Sequence, residues 1–278
     1  MGGDRPRGAV CSLLVLPLFV AASATMAQTP PQTAPRPTER HDRGQSVAPS
    51  FEGWEPNEDG TFTLYFGYMN RNYEETLDIP VGPDNLMEPG RDLGQPTHFL
   101  TRRRRNVFSV VVPKDFGDKK IVWTLSSRGN TERATGSLNR IYQIELSRDR
   151  NTGNTPPVIK VGPDQTVTFP AAATLTVAAT DDGLPQRRGG GGPGRVPGEP
   201  PRVRGAGITI EWIKHRGPGN VTFAPATQEV VDGKAITQAT FSAPGAYTIS
   251  IIASDGRMVR SGQIRVNVDA APATAGQR

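Results

Sequence analysis

The sequence predicts an all-β protein: two consecutive β-sandwich domains that follow an N-terminal leader and an unstructured tether. Three observations predict it. The 278 residues include 31 Gly and 26 Pro, about one residue in five against roughly 12% in average chains, a composition that favours turns over long helices. Apolar residues recur at every second position in short runs bounded by Gly, Pro, Asn and Asp. Hydrophobic residues make up 35% and aromatics 6%, which suits short strands better than a helical core.

Residues 1–27 have the layout of a secretory signal peptide. Arg5 and Arg7 open it, Ala9 to Ala22 form the apolar stretch, and Thr25-Met26-Ala27 offers a cleavage site before Gln28. The apolar run is about 14 residues, short of the ~20 that span a bilayer, and Pro17 interrupts it. The alternative is an uncleaved anchor. Cys11 is the only cysteine. It falls in the leader, so the mature chain lacks disulfides, cysteine nucleophiles and thiolate metal sites. Cys11 also sits near the start of the apolar stretch, where a lipidation cysteine would follow its end. Three histidines, His41, His98 and His215, all but exclude a multi-His metal centre. The formal charge of +5 falls by one when Asp4, Arg5 and Arg7 leave with the leader. So mild an excess does not mark a nucleic-acid binder, and no later stretch is apolar enough to insert into a membrane.

Residues 28–50 are rich in Pro, Thr and charge and read as a disordered linker. Composition changes at Phe51, where a sandwich of unassigned family is expected over residues 51–148. Asn57-Glu58-Asp59-Gly60 is a turn. Thr61 to Tyr68 then alternates, with Phe62, Leu64, Phe66 and Tyr68 on one face. Glu75 to Pro80 alternates through Leu77 and Ile79, and residues 82–96 read as a long loop. Val107 to Val112 and Lys120 to Ser126 are strands, with Trp123 and Leu125 as core residues. Ile141 to Leu146 is the last expected strand. Residues 149–157 form a linker.

Seven further strands are expected within 158–269: Val158 to Phe169, Thr174 to Thr180, Ile208 to Lys214, Val221 to Ala224, Ala235 to Ser242, Tyr247 to Ser254 and Gln263 to Val268. Seven strands in about 115 residues is the usual count of an immunoglobulin-like sandwich. Tyr247 follows Pro244-Gly245 at a strand start, the place for a tyrosine whose hydroxyl pins the preceding loop. Residues 186–207 are a Gly/Arg-rich insert, and 270–278 a loose tail.

Residues 155–269 resemble a PKD-type immunoglobulin-like domain. Pro156-Pro157-Val158 with Gly162-Pro163-Asp164-Gln165, then Leu175 to Pro185, look like its opening, and Ala239 to Gly256 is similar to its last strands. Trp212 sits where such domains place the third-strand tryptophan, followed here by Ile213-Lys214-His215 instead of the commoner Trp-Asp-Phe-Gly-Asp-Gly signature. The resemblance implies an extracellular interaction or spacer module, not a catalytic one.

Four groups of residues are candidates for function. Trp54 and Tyr65, with Tyr68 and Tyr73, would build an aromatic platform for sugars if exposed, and core filling is the competing reading. In the insert, Arg187 and Arg188 with Arg195, Arg202 and Arg204 either make a solvated loop or a cationic contact for acidic glycans. Its Gly189 to Gly194 run matches the dinucleotide spacing only by composition. Asp181, Asp182 and Asp255 close strands whose loops share one end of such a sandwich, and converging carboxylates would suit Ca²⁺; turn formation by Asp182-Gly183 and Asp255-Gly256 is the simpler reading. Arg102 to Arg105 reads as an exposed loop or a strand edge protected from further pairing, with polyanion binding as its functional counterpart. Catalysis has little support: Glu52, Glu55, Glu74, Glu75 and Asp78 are the carboxylates that a glycan-acting hydrolase would have to pair, hydrolase and zinc-protease motifs are missing, and His98 and His215 fall in different expected domains. The expectation is therefore an exported bacterial protein, secreted or periplasmic, without cofactor apart from the calcium alternative. It would act non-enzymatically as a binding or scaffold component on a protein or glycan partner at the cell envelope. A carbohydrate-binding protein using the first domain's aromatics is the alternative, and a glycan-acting hydrolase the second.

Overall fold

The structure, a computed structural model, describes residues 2–3, 40–185 and 207–272. It is all-β, and both sandwiches belong to one compact unit, Arg40–Arg278. Among the described residues no helix is long and apolar enough to cross a membrane. The expected leader, most of the linker and nearly all of the Gly/Arg-rich insert lie outside the described residues.

The first sandwich contains β1 (Val47–Pro56), β2 (Phe62–Asn70), β3 (Leu77–Asp78), β4 (Asn85–Glu88), β5 (His98–Phe99), β6 (Arg102–Val112), β7 (Ile121–Ser127) and β8 (Asn130–Gly136). Strands β1-β2-β6 form one antiparallel sheet, β4-β7-β8 a second, and β3-β5 a two-residue pair. The alternation of β2 buries Leu64, Phe66 and Tyr68 as expected, against Met87, Trp123 and Leu125 of the other sheet. Aromatic edges and faces lock this core: Phe108 lies edge-on to Trp123 at 5.0 Å and stacks on Phe66 at 5.3 Å.

Four features differ from the sequence reading. The sandwich begins before Phe51: β1 starts at Val47, and residues 41–46 are tied down by Tyr73 N donating to His41 O and Gln45 N donating to Asn72 Oδ1. The expected loop 82–96 contains β4, fixed by buried Asn85, whose Nδ2 donates to Ile79 O and Pro96 O. The strand expected from Val107 starts at Arg102: the basic run is the first half of β6, at the edge of its sheet, which is one of the two readings the sequence offered. The expected strand 141–146 is instead a single 3-10 turn, Arg140–Tyr142, followed by a bridge from Gln143 to Trp54.

The second sandwich contains β9 (Val158–Val161), β10 (Gln165–Thr168), β11 (Ala173–Thr180), β12 (Thr209–Arg216), β13 (Val221–Ala224), β14 (Thr227–Glu229), β15 (Lys234–Phe241), β16 (Gly245–Ser254) and β17 (Val259–Asp269). One sheet runs β10-β17-β16-β12-β14 and the other β13-β15-β11-β9, an immunoglobulin-like arrangement. The run expected as one strand, 158–169, splits into β9 and β10, which join opposite sheets. Trp212, Tyr247, Ile249 and Ile251 meet Leu175 and Val177 in the core. Tyr247 does what its position predicts: its hydroxyl donates to Ala243 O (2.7 Å) and accepts from Gly219 N (3.0 Å).

Candidate functional site

The end of β12 and the loop before β5 make a polar junction between the sandwiches. Along β12, Ile210 and Trp212 are core residues, and the same alternation would turn Lys214 inward. Lys214 is only 5% exposed. A buried ammonium is tolerable only with a counter-charge and satisfied donors, and both are present: Lys214 Nζ donates to Asp78 Oδ1 of the first sandwich (2.8 Å) and to Gly219 O (3.1 Å). His98 Nδ1 shares the same Asp78 oxygen at 2.9 Å. Burial raises the Asp78 pKa, but hydrogen bonds from His98 and Lys214 outweigh it, and the net shift is downward.

The next two residues continue the clamp. A register shift in the β12–β16 pairing falls between Lys214 and Arg216, so His215 is buried beside Lys214. Thr97 N donates to His215 O (3.0 Å), and the His215 ring meets Gly94 O through Nε2 at 2.9 Å. Burial pushes the His215 pKa down to about 4. The ring is then neutral near pH 7, and the carbonyl partner requires the tautomer with its proton on Nε2. Arg216 donates through Nε to Gln95 O (2.7 Å) and through both terminal nitrogens to Asp92 (2.7 and 3.0 Å). That hydrogen bonding chiefly lowers the Asp92 pKa. Arg104 of β6 reaches Glu211 of β12 at 3.2 Å. A cavity of about 190 Å³ remains beside the clamp, lined among others by Tyr68, His98, Arg105, Lys214 and His215.

Sequence reasoning missed this junction. The two histidines assigned to separate domains line one cavity. Nothing in the local pattern of β12 shows that a second domain covers its end; the one signal was three consecutive basic residues following a core tryptophan.

The residues singled out from sequence fare differently. Trp54 does not form a sugar platform. It is 7% exposed, packs edge-on against Phe62 and donates Nε1–H to Asn139 O. Its register partner is Leu64, on the core face, whereas Tyr65 pairs with Gly53 on the other. Tyr65 is half-buried, with its hydroxyl on Glu55 Oε1 (2.5 Å); burial first, then that hydrogen bond, raises its pKa. Tyr68 is core, and exposed Tyr73 stacks with the Arg40 and Arg102 guanidiniums. Arg187 and Arg188 lie outside the described residues.

Asp181, Asp182 and Asp255 do gather at one end of the second sandwich, where burial, then the charges of Asp182 and Asp255, raise the Asp181 pKa. Asp182 accepts from Thr155 and Leu184, and Asp255 from Asn154 and the amides of Arg257 and Met258. Among the described residues no group of three or more His, Cys, Asp or Glu is arranged to hold a metal ion. The carboxylates considered for hydrolysis each have partners: Glu52 with Arg103, Glu55 with Tyr65, Glu74 with Arg40, Glu75 with Arg128, and Asp78 with Lys214 and His98.

No protein-family model matches the chain, and no curated protein does. Among solved structures, the chain is similar to the PKD domain (329–428) from human KIAA0319, with 12% identity, TM-score 0.25, and 49% of this chain and 100% of that one covered. It is also similar to titin domains Z1Z2 in complex with telethonin, with 11% identity, TM-score 0.26, and 81% and 98% covered. Domains 4–9 of the surface layer protein SbsC match with 14% identity and TM-score 0.28 over 80% of this chain and 28% of that one.

Proposed function

We propose that this chain is an exported, non-enzymatic binding or scaffold protein in which a first sandwich and a PKD-type second sandwich act as one rigid body at the cell envelope or outside the cell. The observation that carries this reading is the clamp on β12. Flexible tandem domains meet through small, loosely paired surfaces, whereas here Lys214 is buried across the junction and His215 and Arg216 hold the backbone of residues 94–97. A buried cation would be costly to undock, so the geometry favours a fixed presentation of surface over hinge motion. The partnered carboxylates fit a role in binding better than one in acid–base chemistry.

Fractionation of cells expressing the full chain, with mass spectrometry of the mature N-terminus, tests export. A chain beginning at Gln28 in the periplasm or the medium is expected. An intact leader in the cytosol would overturn the localisation.

A further inference from the structure

Three hollows run along the seam where β6, the segment after the first sandwich and the β16–β17 hairpin come together. Their volumes are about 190, 330 and 470 Å³. Asn106 and Val259 line all three, so they form one continuous trough. A β-bulge shapes its wall. In the β2–β6 pairing Phe66 faces Phe108 and Tyr68 faces Arg104, so Arg105, Asn106 and Val107 together stand against Gly67 alone. Bulges re-aim side chains and recur beside functional sites, and this one holds Asn106 in the left-handed region at φ 50.

The trough is strongly cationic. Arg103 and Arg104 on its wall are paired with Glu52 and Glu211, and Arg150 and Arg257 with Glu145 and Asp149. These pairs use up every acidic side chain that lines the trough. Three further guanidiniums, Arg105, Arg148 and Arg260, are exposed there with no acidic partner within ion-pair distance among the described residues. They are spread over the three hollows instead of converging on one point, so they fit a row of separate anionic groups better than a single phosphate. Between them lie half-exposed Val259 and the partly buried Leu146 and Tyr65, apolar surface of the kind a sugar ring covers. The buried Asn106 Oδ1 at the centre has no donor, and a hydroxyl could supply one after a small side-chain turn. A single-stranded nucleic acid would instead want several exposed aromatic rings on which to stack, and among the described residues the trough offers only that of Tyr65, since Tyr68 and Phe108 are buried.

We propose that this trough binds an acidic polysaccharide, its carboxylate or sulfate groups on Arg105, Arg148 and Arg260 and its ring faces on Val259 and Tyr65. This deepens the binding-protein reading and rests on it. The test is binding of residues 28–278 to polygalacturonate, dextran sulfate, neutral dextran and a single-stranded DNA oligomer, by isothermal titration calorimetry at low and moderate salt. The expected result is binding of the two acidic polymers over dextran, weakened by salt because counterions are released. The triple variant R105Q/R148Q/R260Q, at exposed positions, should keep the wild-type melting temperature and bind at least tenfold more weakly. Lys119→Gln with Lys120→Gln, in the β6–β7 turn, should change nothing. No preference over dextran, an unaffected triple variant, or tighter binding of DNA would each overturn the proposal. A triple variant that keeps its affinity while the sandwiches still tumble together would remove the polysaccharide and leave the rigid-scaffold reading standing.

Discussion

Lys214 shows how one side chain can decide whether two domains move independently. Its ammonium is buried, and Asp78 of the other domain is its only acidic partner among the described residues. Asp78→Ala leaves that charge with Gly219 O alone. Breaking a buried pair costs about 3–5 kcal/mol, and because Asp78 is half exposed the loss should be on the order of 2 kcal/mol, read by urea denaturation. Lys214→Met removes the charge itself and should cost less. The pH dependence has the same origin. The His215 pKa is about 4 in the folded chain against about 6.5 when unfolded, so between these values the unfolded chain binds more protons. Its contribution is complete above about pH 6.5 and is lost as pH falls toward 4, with a slope of up to about 1.4 kcal/mol per pH unit. Asp78 and Asp92, both shifted down, act in the same direction at lower pH: their contribution is present above the unfolded carboxylate value and is lost as pH falls through the folded one. Denaturation midpoints measured from pH 7 to 4 should therefore fall, and His215→Gln, which keeps an N–H for Gly94 O, should flatten the part between 6.5 and 4. An unchanged slope in that variant would contradict the assignment.

At the scale of elements, the strands visible in the sequence were those with clear apolar alternation. β2, β7, β11, β15 and β16 fall within a few residues of their expected spans because each runs for seven residues or more and buries at least one large apolar side chain within its alternation. β8 was invisible because its inward residues are Ala134 and Gly136. Gly136 is required there: a Cβ would press on Phe66 and Leu64 at 2.8 and 3.0 Å. β14 is three polar residues and β5 only two, too short to carry a period. The basic half of β6 was readable as an edge, and the bulge within it was not, because a bulge is a property of two strands in register. Gly67 opposite that bulge is closed in by Glu52 and the backbone of Arg104. Gly67→Ala should therefore destabilise the first sandwich by roughly 1–3 kcal/mol, seen as a lower melting temperature. The Tyr247 corner was legible from Pro244-Gly245-Ala246-Tyr247. Tyr247→Phe orphans Gly219 N and Ala243 O and should cost about 1–2 kcal/mol, a loss that a wild-type melting curve would rule out. Of the candidate site, the arginine run and Tyr65 could be read beforehand. The run's neighbours Arg148, Arg257 and Arg260 are scattered in the chain and are brought together only by the docking of two domains.

For the whole molecule, the trough and the clamp depend on one arrangement. β6 and the chain after the 3-10 turn supply one side of the trough, the β16–β17 hairpin the other, and the contacts of Lys214, His215 and Arg216 hold the sandwiches in place. Loosening the junction should thus weaken ligand binding through residues that never touch the ligand, and Asp78→Ala with Asp92→Ala should do so without altering either sandwich's own core. The most direct test of the central claim is ¹⁵N relaxation of the mature chain, which reports the tumbling of each domain separately. Amides of both sandwiches should share one rotational correlation time in the wild type, and show two shorter ones in the Asp78→Ala/Asp92→Ala variant. Two independent correlation times in the wild type would contradict the claim.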